Sequence, residues 1–390
     1  MKYIIHLLAL FILLGCNDKK DVKNNQELNP VTEKLLTKSP KEIGLNDSIF
    51  NTITKKIEDQ EYTNIHSLLI AKDGKLVYEE YFDGEDKNLG QDLGSVHFTD
   101  TTLHDIRSIS KSVVSALIGI CIDKGLIKHV YQPISDFFPE YEFEGAKSEW
   151  TVQQFLTMTT GLDWNENLPY TDPENGEIQM LRSKDPLSYV LNKQLKDLPG
   201  TKWVYASGAT LVLSEIVMRT SKMPLDQFAK ENLFVPLGIE KFEWNKYSHV
   251  SGGADIIAAA AGLRLRPRDL MKFALLYRNN GRWNGQQIIS ERWVNETFKR
   301  RITYPCDPGY ACVNFYCYQW YSWDDFAGEK GFELIKADGN GGQRIYLDLD
   351  NDLTVVMTAG NYNLEIPSEK SAYTLLMKEI YPIFQNTKTR

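Results

Sequence analysis

The chain has 390 residues, of which 42% are hydrophobic and 25% are charged, a composition typical of a globular enzyme with a sizeable core. Its formal net charge of −8, without any basic run, argues against a nucleic-acid partner. Six scattered histidines, with neither an HExxH nor a CxxC pattern, show no catalytic metal signature, so we predict neither a metal nor an organic cofactor.

The N-terminus has the pattern of a bacterial lipoprotein signal. Residues 1–15 carry one lysine and then an apolar run too short to span a bilayer comfortably, and Cys16 follows. We expect a signal peptide over residues 1–15 and a lipid on the Cys16 sulfur. A short membrane anchor is the weaker alternative, because the chain turns abruptly polar after Cys16. Residues 16–41, rich in Asn, Asp, Lys and Glu, predict a flexible tether, so the mature protein would be anchored to a bacterial membrane, periplasmic or at the cell surface.

Four further cysteines would lie in an oxidising compartment. Cys121, within an apolar run, is expected to be a buried small residue. One disulfide is expected between Cys306 and either Cys312 or Cys317, and the spacing does not choose between the two pairs. One of these three thiols would stay unpaired.

The domain begins near residue 42, and its first elements are strands. The β-rich runs 66–72 and 75–82 flank Asp73-Gly74, a strong turn signal, and predict a hairpin. A polar loop follows. The next helix begins near Ser108 and ends at Gly125, and its broad apolar surface predicts a central buried helix.

Residues of about 130–300 predict a mostly helical subdomain, in which Pro and Gly separate amphipathic segments at 152–158, 186–192, 209–220, 225–232 and 268–279. Strands are predicted again at 314–323, 332–337, 343–348 and 353–358, and a last helix at 368–384. This order predicts an α/β (α+β) fold over residues 42–384, with one antiparallel sheet assembled from both ends and flanked by helices. The active site is expected where the sheet and the helical subdomain meet.

Ser108 and Lys111 form the only Ser-x-x-Lys pair in the chain. Residues i and i+3 share one helix face, so the lysine would point at the serine hydroxyl. A serine becomes a nucleophile when a neighbouring group takes its proton, and a lysine can do so when burial or a nearby cation lowers its pKa. Taken alone, the pair is more simply a helix N-cap beside a solvated lysine.

Two further segments are candidates for the same site. Tyr205 follows a Pro-Gly turn and precedes a helix, so its phenol is placed to enter a cleft, where Lys111 would lower its pKa and make it a proton shuttle. Asn340-Gly341-Gly342-Gln343 leads into a late strand. Its glycines would let another backbone or a substrate approach closely, and the Gln343 amide is placed to pair with that of Ser108 as an oxyanion hole. The alternatives are a tyrosine packed at a helix start and a plain glycine turn.

Together, Ser108-x-x-Lys111, Tyr205-x-Ser207 and the late Gly-rich segment resemble, in this order, the serine β-lactamase and penicillin-binding-protein superfamily. The segments 156–162, 199–205 and 236–239 also look like family landmarks, and the resemblance covers about residues 45–384. It implies a β-lactamase/transpeptidase-like fold, with Ser108 acylated, Lys111 as its activator and Tyr205 as partner base and leaving-group acid. It also implies an oxyanion and substrate site formed by Ser207, Asn340, Gly341, Gly342 and Gln343, in which Ser207 is a polar positioning residue.

Asn340 stands where β-lactamases and peptidoglycan peptidases have a cationic residue that holds a substrate carboxylate. Asn carries no charge, and Arg344 either compensates or faces away. The surroundings resemble instead the esterase-like and amide-hydrolase branches, including those similar to 6-aminohexanoate-oligomer hydrolases. Aromatic residues that would then line an apolar cleft, or belong to the core, are Trp164, Tyr170, Trp320, Tyr321 and Trp323.

These observations predict an extracytoplasmic serine hydrolase that cleaves an ester or amide bond of a small molecule or peptide through an acyl-enzyme. One alternative is a D,D-peptidase or β-lactamase that acts on cell-wall peptides or β-lactams. The other is a non-catalytic binding lipoprotein of the same fold.

Overall fold

The computed structural model describes residues 35–248, 255–305, 313–324 and 333–385, which belong to one compact unit. The expected signal peptide, the lipidation site Cys16 and most of the tether lie outside the described residues, as do Cys306 and Cys312. Within the described ranges, no helix has the length and apolarity needed to cross a bilayer.

Strands from both ends of the domain form one large sheet. The described strands are β1 (Ile65–Lys72), β2 (Lys75–Tyr81), β3 (Gly84–Asn88), β4 (Gln91–Val96), β5 (His104–Asp105), β6 (Glu243–Trp244), β7 (Leu263–Leu265), β8 (Arg282–Trp283), β9 (Gln286–Gln287), β10 (Ile302–Tyr304), β11 (Val313–Tyr316), β12 (Tyr321–Asp324), β13 (Leu334–Gly339), β14 (Gln343–Asp348) and β15 (Leu353–Ala359). Eight of them form an antiparallel sheet in the order β10-β11-β12-β13-β14-β15-β1-β2. In it, Leu68 of β1 pairs with Met357 of β15 and with Glu80 of β2. The predicted sheet and fold class are therefore confirmed.

Helices cover both faces of this sheet. The described α-helices are α1 (Asp47–Glu58), α2 (Ile109–Asp123), α3 (Val152–Leu156), α4 (Gly176–Arg182), α5 (Pro186–Asn192), α6 (Ser207–Ser221), α7 (Leu225–Ala229), α8 (Pro267–Arg278), α9 (Glu291–Phe298), α10 (Ala372–Leu375) and α11 (Tyr381–Gln385). Successive side chains of β1 point to opposite faces, so Leu69 joins the core with α2, α6 and α8, while Leu68 joins the core with α1, α10 and α11.

Helix α2 is the central buried helix that its apolar pattern predicts. Every residue from Ile109 to Cys121 is buried, and the helix packs against α6 and β13. Gly119 allows an indole to approach closely, since a Cβ there would lie 2.3 Å from a ring carbon of Trp293. Because its surroundings are close-packed, α2 offers a rigid base for the residue at its N-terminal end, Ser108.

Three predicted elements were wrong in detail. The single strand expected at 314–323 is two strands, β11 and β12, because the backbone turns at Gln319, where φ is 60°. The polar segment after β2 is the hairpin β3-β4; its side chains are mostly exposed, so it has no apolar alternation to reveal it. The helix expected at 368–384 is divided into α10, a π-helical turn at Leu376–Ile380, and α11.

The described cysteines are both free and buried. Cys121 lies inside α2 and is fully buried, as predicted. The Cys317 thiol donates to the Phe298 carbonyl oxygen at 3.4 Å, and burial raises its pKa to about 12. The predicted alternative of a Cys306–Cys317 disulfide is therefore wrong.

Candidate active site

Ser108 and Lys111 meet at the N-terminal end of α2. The Lys111 ammonium donates to Ser108 Oγ at 3.1 Å and to the Ala260 carbonyl oxygen at 3.0 Å. Lys111 is 2% exposed, and the Ser108 side chain makes no capping hydrogen bond although it occupies the N-cap position. The alternative of a capping serine beside a solvated lysine is therefore wrong, and the hydroxyl is directed at the amine.

Arg107, the residue before Ser108, has a left-handed backbone conformation with φ of 48°. A non-glycine residue adopts this conformation at a cost, and strained residues concentrate at functional sites. Two contacts hold the side chain: Nη2 is 3.1 Å from Asp105 Oδ2, and the guanidinium lies 4.4 Å from the centroid of the Tyr362 ring. These contacts fix the turn that leads into Ser108.

Tyr205 lies beside the same pair, just before α6. The Lys111 Nζ is 4.9 Å from the centroid of the Tyr205 ring, and the phenol interacts with both Lys111 and Ser108. The structure thus brings together the three residues that the motif order singled out. A hydroxyl, an amine and a phenol in mutual contact have the chemistry needed to pass a proton around one oxygen atom.

Two buried glutamates behind this network were not singled out from the sequence. Glu166 accepts hydrogen bonds from Ser207 N at 2.7 Å, Ser207 Oγ at 2.6 Å and Trp164 Nε1 at 2.9 Å. Glu177, in the first turn of α4, interacts with Ser207 and Tyr247. Ser207 is therefore buried against the Glu166 carboxylate. Its role as a polar positioning residue of the oxyanion and substrate site stays a prediction.

The negative charge behind Lys111 sets the resting protonation of the network. Burial alone would lower the pKa of Lys111, but Tyr205, Glu166 and Glu177 together outweigh it and raise that pKa. Burial raises the pKa of Tyr205, although the charge of Lys111 opposes the shift. The lowered pKa predicted for Tyr205 is therefore wrong, and Lys111 does not have the lowered pKa that it would need to act as a base at rest. At neutral pH the resting pair is an ammonium and a neutral phenol.

Glu177 titrates near neutrality, because burial and then the charge of Glu166 raise its pKa to about 7. Glu177→Gln should lower the pKa of Lys111 by removing one charge that raises it. A base must be deprotonated to act, so the rising limb of kcat/KM against pH should move to lower pH by roughly 0.5–1 unit. The measurement is 4-nitrophenyl acetate hydrolysis from about pH 7, above which Glu177 is charged, to about pH 11, so that the range reaches the raised pKa of Lys111. The exposed Glu174→Gln is the matched control, and a Glu177→Gln profile that superimposes on the wild type would contradict the prediction.

Ser108 faces a cavity of about 260 Å³. Its charged lining residues are Lys87, Arg107, Lys111 and Glu177, and apolar side chains come from α4. The other lining residues are Leu89, Gly90, Tyr170, Ile178, Leu181, Tyr247, Ala261, Asn340, Tyr362 and Asn363. The volume is slightly below the range usual for drug-sized ligands, so the cavity suits a small acyl group.

Asn340 lines the cavity, and its side-chain amide is already hydrogen-bonded to Asn363. Its Nδ2 donates to Asn363 Oδ1 at 2.5 Å, and its Oδ1 accepts from the Asn363 amide at 2.9 Å. Arg344 donates to the carbonyl oxygens of Gly339 and Gln343 and does not line the cavity. Neither residue replaces the missing cation of the third motif.

Gly341, Gly342 and Gln343 follow Asn340 and are not among the described residues that line the cavity. A Cβ on Gly341 would lie 2.5 Å from the Tyr362 ring, and one on Gly342 would lie 2.9 Å from Ala359 Cβ. The Gln343 side chain accepts from the Ala359 amide at 3.2 Å and donates to the Ala359 carbonyl oxygen at 2.5 Å. A tyrosine ring and β15 thus approach these glycines closely, and the predicted place of the glycines in the substrate site stays a prediction. The oxyanion role of the Gln343 amide stays a prediction.

The aromatic residues proposed for a cleft have different places. Tyr170 lines the cavity. Trp164 is buried against Glu166, and Trp320 is fully buried with Phe273 and Tyr277. Trp320 is therefore a core residue. Trp323 and Tyr321 belong to β12 and are not among the described residues that line the cavity.

An antiparallel sheet flanked by helices, with a serine at the start of a buried helix and a lysine one turn later, defines the class of serine hydrolases that includes β-lactamases and penicillin-binding proteins. The chain belongs to the Beta-lactamase family, whose family model matches residues 58–376. The resemblance stated from the motifs is confirmed at this level.

Curated relatives of this chain are hydrolases by name. The 6-aminohexanoate-dimer hydrolase of Paenarthrobacter ureafaciens is 25% identical over 280 residues, which cover 66% of this chain and 66% of that relative. An Escherichia coli (strain K12) protein with the provisional name D-alanyl-D-alanine carboxypeptidase is 24% identical over 230 residues, covering 54% of this chain and 50% of that protein. The chain thus spans half to two thirds of the length of these relatives.

Solved structures share the fold. The octameric penicillin-binding protein homologue from Pyrococcus abyssi has a TM-score of 0.64 at 18% identity, covering 87% of this chain and 80% of that chain. Simvastatin synthase (LOVD) from Aspergillus terreus, as its LovD6 mutant, has a TM-score of 0.62 at 15% identity, covering 88% and 99% of the two chains. At these identities the likeness establishes the fold alone.

Proposed function

We propose that this protein is an extracytoplasmic serine hydrolase that cleaves an ester or amide bond of a small molecule through an acyl-enzyme on Ser108. The observation that carries the proposal is the 3.1 Å contact between Lys111 Nζ and Ser108 Oγ, with Tyr205 against both. The location outside the cytoplasm rests on the N-terminal sequence pattern, in which a lipid on Cys16 would hold the domain at a bacterial membrane.

In the proposed mechanism, Ser108 Oγ attacks the carbonyl carbon as its proton passes to the Lys111–Tyr205 pair. Because both members are protonated at rest, the reactive form is the one that has lost a single proton. The negative charge on the carbonyl oxygen would be held by the Ser108 and Gln343 amides. When the tetrahedral intermediate collapses, the bond to the leaving group breaks and Tyr205 donates a proton to it. Water then hydrolyses the ester on Ser108.

The name of the Paenarthrobacter relative supports an amide substrate, because a dimer of an amino acid is joined by an amide bond, and the small charged cavity supports a compact substrate. A D,D-peptidase or β-lactamase is the second candidate, favoured by the provisional name of the Escherichia coli relative and by Lys87 and Arg107, which offer positive charge for a carboxylate. The neutral, engaged amide of Asn340 disfavours it. A non-catalytic role is disfavoured by the complete Ser108–Lys111–Tyr205 contact.

Intact-mass spectrometry after brief exposure to aryl esters, short amides and a fluorescent penicillin tests the proposal. We expect an aryl ester to add the mass of its acyl group to the wild type but not to Ser108→Ala. Ser115→Ala is the matched control, because Ser115 lies buried in the same helix and its hydroxyl has no hydrogen-bond partner among the described residues. No adduct and no turnover with any compound would overturn the enzymatic proposal. Penicillin labelling of Ser108 without ester turnover would establish the second candidate.

A further inference from the structure

Three residues of types that commonly bind metals converge beside the candidate active site. They are His66 on β1, Asp86 on β3 and His104 on β5, and each is at most 1% exposed. One nitrogen or oxygen atom from each lies within 4.8 Å of the others. His66 Nδ1 is 2.9 Å from His104 Nε2, which in turn is 3.7 Å from Asp86 Oδ1.

In each imidazole, the outer nitrogen is the one that faces away from the other histidine, and its hydrogen bond determines whether the facing nitrogen carries a hydrogen. His104 Nδ1 is 2.9 Å from the Asp105 carbonyl oxygen, which can only accept, so Nδ1 carries the hydrogen. His66 Nε2 is 3.0 Å from Asn64 Oδ1, and Asn64 Nδ2 donates to the Glu85 carbonyl oxygen, which fixes the orientation of that amide. His66 Nε2 is therefore also a donor. In the neutral rings, two bare lone pairs face each other at 2.9 Å.

Asp86 adds negative charge that is incompletely paired. Its Oδ1 accepts a hydrogen bond from the Tyr362 hydroxyl at 2.9 Å, whereas Oδ2 is buried without a hydrogen-bond partner in the described part of the chain. An unpartnered buried carboxylate oxygen is costly, and the two facing lone pairs repel. One cation among the three side chains would relieve both problems.

We propose that His66 Nδ1, His104 Nε2 and the Asp86 carboxylate bind one divalent transition-metal ion, for which Zn²⁺ is the best chemical match. Imidazole and carboxylate are Zn²⁺ ligands at about 2.0–2.2 Å, and a tetrahedral site with such bonds separates its ligand atoms by roughly 3.3 Å. The separations of 2.9 Å between the two nitrogens and 3.7 Å between His104 and Asp86 lie on either side of that value. Asp86 Oδ2 or a water molecule would complete the shell, and the outer N–H groups already bond to carbonyl oxygens, as is usual for metal-ligating histidines.

A proton shared by the two histidines is the competing explanation. Such a proton would lie between the two facing nitrogens and would leave Asp86 Oδ2 without a partner, whereas a metal ion can be bound by all three side chains. The ligands are closed off from solvent, so the ion would be structural and would not touch a substrate. Tyr362 lies between the proposed ion and the cavity. The Tyr362 hydroxyl donates to Asp86, and the Tyr362 ring lies under Arg107.

Metal binding to the full chain tests this proposal. After chelation and dialysis, we expect one equivalent of Zn²⁺ to bind per chain by titration calorimetry and elemental analysis, and Co²⁺ to give visible d–d absorption. Free Zn²⁺ at about 100 times its Kd should raise the Tm by roughly 4 °C. Binding of less than about one tenth of an equivalent, with no change in Tm, would overturn the proposal in favour of a shared proton.

Three variants separate a specific site from surface binding. His66→Gln and Asp86→Asn should each weaken Zn²⁺ binding by about 100-fold or more. Asp86→Asn keeps an oxygen for the Tyr362 hydroxyl, so it can replace His66→Gln in the test if that variant fails to fold. His97→Gln is the matched control, because His97 is an exposed histidine paired with Asp83 at 2.7 Å, and it should bind Zn²⁺ like the wild type. Loss of binding in His97→Gln alone would place the ion at the surface and contradict the assignment.

Discussion

Lys111→Ala is expected to lower kcat/KM for an aryl ester by about 10³-fold or more, because it removes half of the proton-accepting pair beside Ser108. Lys111→Arg should be nearly as inactive. An arginine restores the positive charge and can donate hydrogen bonds, but its pKa above about 12 prevents it from accepting a proton. If Lys111→Arg instead recovered most of the activity, the lysine would act only as a fixed charge. Lys124→Ala, an exposed change at the other end of α2, is the control.

The loss of activity in Lys111→Ala should come from the missing amine and not from unfolding of the protein. Lys111 lowers the pKa of Glu177, which burial and Glu166 raise to about 7. Without the lysine that pKa rises further, so the Glu177 carboxyl takes up a proton at neutral pH instead of remaining an unpaired buried charge. We therefore expect Lys111→Ala to keep its circular dichroism spectrum and a cooperative thermal transition. A variant that fails to fold would show that the carboxyl does not adapt in this way.

Tyr205→Phe is expected to lower kcat by about 10²–10³-fold for an amide or alkyl ester but by only about tenfold for a 4-nitrophenyl ester. An amine or alkoxide leaves only when it receives a proton, whereas 4-nitrophenolate leaves without one. The substitution keeps the aromatic ring against Lys111 and removes only the hydroxyl. The ratio of the two losses therefore reports on proton donation by the phenol.

Equal losses for both leaving groups would assign Tyr205 to the removal of the Ser108 proton instead. A variant with wild-type kcat on both substrates would remove the phenol from the mechanism altogether. Tyr189→Phe is a matched control, since Tyr189 lies on α5 and its hydroxyl donates to Gln179, away from the cavity lining.

The sequence predicted those elements whose side chains repeat with a clear period. Helix α5 begins and ends at the predicted residues, and α2 and strands β1, β2, β14 and β15 lie within one or two residues of their predicted bounds. The hairpin β3-β4 was not predicted, because neither of its faces is apolar enough to give an alternating pattern in the sequence. The bounds of the domain, the tether and the lipid anchor stay predictions.

The candidate site likewise has residues that the sequence predicted and residues that it did not. Ser108 and Lys111 are one helical turn apart, so their contact is local, and the order of motifs added Tyr205. Glu166 and Glu177 carry no such local signal, because a glutamate's burial beside a lysine depends on packing between distant segments. The glycines Gly341 and Gly342 left open whether a backbone or a substrate approaches them, because what fills the space beside a glycine is decided by tertiary structure.

The position of β1 between β2 and β15 has a consequence for the order in which the domain assembles. One edge of β1 can pair with β2 as soon as the local hairpin forms, but the other edge waits for a strand near the C-terminus. During synthesis, an apolar strand therefore remains open to pairing with a second chain until β15 is available. Pairing between strands so distant in sequence slows folding. A chain truncated before Leu353 lacks β15 and is therefore expected to aggregate even when Ser108 and Lys111 are intact.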